Sequence, residues 1–185
     1  MNTRVKGFIY LLLSAVYFGF MPLLVKVICA DGSTIVGALF LRFALAIIPL
    51  YIYLKVRKVP MELSVEKGKK ILCVTVFGYG ITALLLYSAY DYMPSGMATV
   101  IHFGYPVFVL LGSLIFLRRR VPKLKIVCVG LCMIGIFLSY AGSGGEAKPM
   151  GFVFALISGM TYAFYILYLE VGGLQDIPAM KMIFY

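Results

Sequence analysis

The sequence predicts an all-α membrane protein with six transmembrane helices and a partial seventh. Three observations predict it. The 185-residue chain is 63% hydrophobic and only 13% charged, whereas a soluble domain carries about 25% charged residues. Its apolar residues fall into six runs, each near the roughly 20 residues that cross about 30 Å of hydrocarbon. Its basic residues gather in the short segments between those runs, as in cytoplasmic loops.

The runs are Gly7–Cys29, Thr34–Leu54, Ile71–Tyr92, Ser95–Leu117, Leu124–Tyr140 and Met150–Glu170. A seventh, Pro178–Tyr185, is too short to cross. Alternating polarity, the mark of a membrane barrel, is absent, so the spans are helices. Arg4 and Lys6 ahead of the first run imitate a signal peptide. That run is longer than a signal core and contains Pro22, so it is read as a retained helix.

Orientation follows from charge. Arg4, Lys6, Lys55, Arg57, Lys58, Lys67, Lys69, Lys70, Arg118, Arg119, Arg120, Lys123 and Lys125 all fall on one side, 13 of the 17 basic residues. Lys26 and Lys148 face the other side, beside Asp31, Asp91 and Glu146. The expected setting is a bacterial-type inner (plasma) membrane, multi-pass, with a cytoplasmic N-terminus. The net charge of +10 therefore reflects loops against a lipid bilayer. No nucleic-acid motif accompanies it.

A shift of 144 residues lays Gly7, Phe8, Leu12, Ser14, Phe20 and Val27 over Gly151, Phe152, Leu156, Ser158, Phe164 and Val171, and Phe40 over Phe184. The repeat unit holds five spans. An odd number inverts the second copy, which gives an expected five-plus-five inverted repeat. Residues 1–142 form the first repeat; residues 150–185 hold one helix and a stub of the second. Inverted repeats are a common carrier architecture, with the ligand site near the midplane. A chain so divided is expected to draw on a second copy of itself or on a separate C-terminal half.

One block, Leu86-Tyr87-Ser88-Ala89-Tyr90-Asp91-Tyr92-Met93-Pro94-Ser95-Gly96-Met97-Ala98-Thr99-Val100-Ile101, resembles the join between helices three and four of EamA-type transporters, in the drug/metabolite transporter superfamily. Ala38-Leu39-Phe40-Leu41-Arg42-Phe43, Pro106 with Ser113 to Leu117, Gly135-Ile136-Phe137-Leu138 and Gly151 to Ser158 match further family motifs in order. The resemblance implies ten helices around a central cavity and movement of amino acids, other metabolites or drugs by alternating access. The family's Glu after helix four is replaced here by Arg119, so the salt bridge of that Glu is not expected. The first helix lacks the Glu on which the related small multidrug-resistance exporters depend. Facilitated diffusion or exchange is therefore expected over proton coupling.

Several residues are candidates for the site. Arg42 lies about 3 Å from the centre of its span at 1.5 Å per residue, where an arginine costs at least about 2.5–3.5 kcal/mol. A substrate carboxylate, a gating contact, or backbone carbonyls would offset that cost. His102, the one histidine, is either a proton relay or a neutral residue bonded to Ser, Thr or Tyr across helices. Tyr17, Tyr105, Tyr162 and Tyr165 sit deep enough to line a cavity, whereas Tyr87, Tyr90 and Tyr92 read as belt residues of the outer interface. Pro22, Pro49 and Pro106 are candidate helix breaks or hinges. Gly78, Gly80, Gly104 and Gly112 allow close helix approach.

Cys29, Cys73, Cys128 and Cys132 show no metal-ligand spacing, and no cofactor is expected. No acid pair, Ser/His/Asp set or metal cluster occurs within the spans, which argues against an enzyme. The competing reading is a membrane binding or regulatory module that does not transport, or a fragment inactive without a C-terminal partner.

Overall fold

The computed structural model describes residues 3–119, 121–142 and 148–185. Arg120 and Glu146, counted in the charge argument, lie outside the described residues, as does the side chain of Arg4. The elements are α1 (Thr3–Ala30), α2 (Ile35–Val56), α3 (Val65–Cys73), a π-helical segment (Val74–Gly80), α4 (Ile81–Ala89), α5 (Ser95–His102), α6 (Tyr105–Ile115), α7 (Lys123–Ala141), α8 (Pro149–Val171) and α9 (Ala179–Phe184). Among the described residues there is no strand. Six stretches are long and apolar enough to cross a membrane: α1, α2, the α3–π–α4 rod, the α5–α6 pair, α7 and α8. The chain is an all-α membrane protein.

Local chemistry sets the ends. Gly32, with φ of 92°, takes the left-handed turn after α1, open to glycine because it has no Cβ. Thr34 caps α2, its hydroxyl accepting the Gly37 N–H at 3.1 Å. The third span starts at Val65, six residues before the expected Ile71, because Ser64 caps it, accepting the Lys67 N–H at 3.3 Å. A Glu66–Lys70 ion pair at i,i+4 spacing braces this polar first turn.

The prolines divide. α1 continues as helix through Pro22 and α2 through Pro49, each with one backbone hydrogen bond fewer. The fourth span is interrupted at Phe103–Gly104. Pro106 stands in the first turn of α6, where its missing N–H has no intrahelical partner to lose. The other irregularity is the π segment of the third span, not foreseen from the sequence. Its Gly78 carbonyl accepts the Thr82 hydroxyl at 2.5 Å.

α8 lies innermost, against the π segment, α4, α5 and α6. Gly151, Ala155, Ser158, Gly159 and Ala163 are all buried and share one helical face, letting backbones approach. A Cβ on Gly78 would sit 2.9 Å from Tyr165 Cβ and 3.2 Å from its Cα. By contrast α7 buries no residue, and α1 exposes Phe8, Leu11, Val16 and Leu24. Apolar faces of this kind are what lipid covers.

Polar contacts clasp one end of α8. Arg119 pairs with Glu170, and Lys67 with Asp176. Nearby, Lys181 Nζ donates to the Glu62 carbonyl at 2.7 Å. Arg119, expected to leave this end without a salt bridge, thus forms an ion pair of its own.

Gly78→Ala is expected to destabilise the chain by about 1–3 kcal/mol, since the backbone of α8 must move. Gly130→Ala, with nothing within 4 Å of the new Cβ, is expected to be neutral or stabilising; thermal melts in detergent compare the two. The hydrogen bond from Lys67 holds the Asp176 carboxyl below its ordinary range. A depressed carboxyl stabilises above its unfolded-state value and loses that contribution as pH falls through the folded one. The melting difference between the chain and Asp176→Asn should therefore shrink on acidification below about pH 4.

Candidate functional site

Three residues of α2 set the site. Ala38 and Leu39 are buried, and Arg42 follows one turn later on the same face. Of these, Arg42 lines a cavity of about 280 Å³. Its wall is shared by Phe18, Met21 and Pro22 of α1, Arg42, then Tyr79, Thr82, Tyr87 and Tyr90 of the third span, then His102, Phe103 and Tyr105 of the fourth, and Tyr162 of α8.

Arg42 is the one charged side chain among the described residues of this wall. Its Nη1 donates to Tyr87 Oη at 2.7 Å and its Nη2 to Tyr79 Oη at 3.1 Å. The guanidinium also lies 5.7 Å from the Phe43 ring centroid. The ion pairs among the described residues engage Lys67, Lys70 and Arg119, and none reaches Arg42. Neutral phenols orient the cation without cancelling its charge. Three of its five N–H donors remain for a ligand.

Tyr87 corrects the belt expectation. It is 2% exposed, donates to Met21 Sδ at 2.9 Å and stacks on Tyr90 at 5.5 Å. Tyr90 is buried beside Thr99, hydroxyl to hydroxyl at 3.4 Å. Tyr92 is half-buried and packs edge-on against Phe154. A half-buried arginine in mid-span needs acceptors, and the third span supplies them. A second cavity, of about 440 Å³, opens toward the α1–α2 loop, lined by Lys26, Cys29 and Asp91. Tyr87 and Tyr90 belong to both walls, so this stacked pair stands between the two spaces.

His102 is 3% exposed, and its Nδ1 lies 2.9 Å from Ser158 Oγ on α8. Tyr105 and Tyr162 meet edge-to-face at 4.8 Å, and the His102 ring lies 5.4 Å from Tyr162. The cavity thus brings together Arg42, His102, Tyr105, Tyr162 and Pro22 of the residues expected from the sequence. Tyr165 stands behind the wall, stacked on Tyr162 at 5.7 Å. Tyr17 does not join. It is 75% exposed, because α1 turns the neighbouring Phe18 and Met21 inward. Pro49 is exposed on α2, and Pro106 lines a separate cleft beside Ser113. Tyr79, Thr82 and Tyr87 were missed, although 79, 82, 83, 86, 87 and 90 trace one helical face.

Among the described residues no group of three or more His, Cys, Asp or Glu could hold a metal ion. What the wall offers is a fixed cation, aromatic faces and hydroxyls, which suits binding an anion.

Comparison with known proteins places this architecture. An uncharacterized transporter of Clostridium kluyveri is 23% identical over 171 residues, which is 86% of this chain and 54% of the relative. One of Archaeoglobus fulgidus is 33% identical over 85 residues, 44% of this chain and 31% of the relative. One of Synechocystis sp. is 30% identical over 90 residues, 47% of this chain and 27% of the relative. The chain spans about half the length of the Clostridium relative. No solved structure matches it. The EamA-like transporter family is matched over residues 5–141, which cover the first five spans, and the chain belongs to that family.

Proposed function

We propose that the chain carries the binding site of a transporter that moves small organic metabolites across a bacterial-type plasma membrane by alternating access. The observation that carries the reading is Arg42, a cation with no carboxylate partner among the described residues, on the wall of a cavity between helices. An anionic group of the substrate would complete it. Phe18 and Tyr162 support the inverted repeat. They are 144 residues apart and both face the cavity, as symmetry-related positions on α1 and α8 would. In this reading the Arg119–Glu170 and Lys67–Asp176 pairs hold the cytoplasmic end shut, and Tyr87 with Tyr90 gates the outer end. The partner is a second copy or a separate C-terminal half.

In proteoliposomes holding the chain, alone or with a C-terminal half, uptake of small carboxylates is expected to fall about 10–100-fold on Arg42→Ala, from loss of a charged hydrogen bond. Arg42→Lys should recover only part, because an ammonium lacks the planar fork. A binding module that does not transport would show Arg42-dependent binding and no flux. Single cysteines placed at Lys123 and at Ser33 in a cysteine-free chain should label from the cytoplasm and from outside, respectively. The reverse result would invert the orientation.

A further inference from the structure

We propose that His102 is the residue that reads the far end of the ligand, and that the cavity takes a small organic anion bearing a neutral O–H or N–H donor remote from its charge. The inference rests on the reading of Arg42 as the anion's partner.

The argument begins with one proton. Ser158 Oγ lies 2.6 Å from the Ala155 carbonyl oxygen. Two oxygens approach so closely only with a proton between them, and the carbonyl has none to give. The serine hydroxyl therefore donates to Ala155, and toward His102 its oxygen can only accept. Nδ1 of His102, 2.9 Å away, must bring its own hydrogen.

A second ring proton would leave an unpaired charge in an apolar interior. No carboxylate among the described residues pairs with His102, and the ring is 3% exposed. The ring is neutral, and Nε2 keeps its lone pair. No protein donor among the described residues reaches Nε2. Yet no buried side-chain nitrogen or oxygen among them is left without a partner. Nε2 is therefore not sealed in. The open space that His102 borders is the cavity, and Nε2 is taken to face it.

The cavity has two unlike poles as a result. Arg42 offers N–H donors and positive charge; His102 offers an acceptor and no proton. Phe103, Tyr105 and Tyr162 give aromatic surface to the same space, fit for a flat or apolar body. No carboxylate lines the cavity among the described residues, and Arg42 already places one uncompensated positive charge on its wall, so the donor that fits best is uncharged. The volume of about 280 Å³ sits just below the roughly 300–1,000 Å³ of small-molecule sites, which keeps the ligand small.

The test is equilibrium binding to the full chain in lipid nanodiscs, with 4-hydroxyphenylacetate, phenylacetate and 4-methylphenol as probes. The first two differ by one hydroxyl; the third lacks the carboxylate. 4-Hydroxyphenylacetate is expected to bind about tenfold more tightly than phenylacetate, the effect of one buried hydrogen bond. His102→Asn puts an amide near the Nδ1 position, preserves the bond to Ser158 and removes the Nε2 acceptor, so the ratio should fall to about one. His102→Gln, whose amide oxygen reaches the Nε2 position, should keep part of it. Equal affinity of the wild-type chain for the two acids, or a ratio that survives His102→Asn, overturns the inference and leaves the Arg42 reading standing. If neither acid outbinds 4-methylphenol, the Arg42 reading falls and this one falls with it.

Discussion

A guanidinium near the middle of a membrane-length helix has to be solvated by protein, and most of this architecture can be traced to how that is done. Arg42 is met by two phenol oxygens, Tyr87 at 2.7 Å and Tyr79 at 3.1 Å. They stand two turns apart on the third span. That span must therefore present one face to α2 along its length, and it must lie close. Tyr87 is in turn fixed by Met21 and by stacking on Tyr90. Moving any of these groups leaves a charge partly unsolvated in an apolar setting, which is expensive.

An adjoining side of the third span meets α8, and small residues make that contact possible. Gly78 faces Tyr165, and on the fourth-span side a Cβ added to Gly159 would sit 3.2 Å from the His102 carbonyl oxygen. Between them Thr82 and Thr161 share a hydroxyl contact of 2.6 Å. The π segment falls at this join. A π-helical turn adds a residue per turn and disturbs the regular carbonyl ladder, and Thr82 supplies a donor to one of the carbonyls affected. The irregular backbone lies in the span that carries the partners of Arg42, packed against α8.

Much of this was legible in the sequence. Apolar run length sets the helices, because hydrocarbon thickness is a fixed demand. Arg42 declared itself by its cost. The role of Tyr87 was hidden because a tyrosine near a helix end looks the same whether it faces lipid headgroups or a cation between helices. Only the partner, 45 positions away in the chain, separates the two cases. Tyr17 was misplaced for a related reason. A helix with apolar residues all round offers no polarity contrast to show which face turns inward. The π segment left no mark beyond two glycines, which packing alone would explain, and the third span began early because a Ser64 cap outweighed the drop in hydropathy.

The missing counter-charge at Arg42 also has an electrical side. With the site empty, the cavity wall holds one net positive charge among the described residues; with a monovalent anion seated, it holds none. A membrane potential acts on a displaced unit charge with about 2.3 kcal/mol per 100 mV. In the carrier proposed above, voltage therefore acts on the return of the vacant form, while the loaded form crosses almost unaffected by the field.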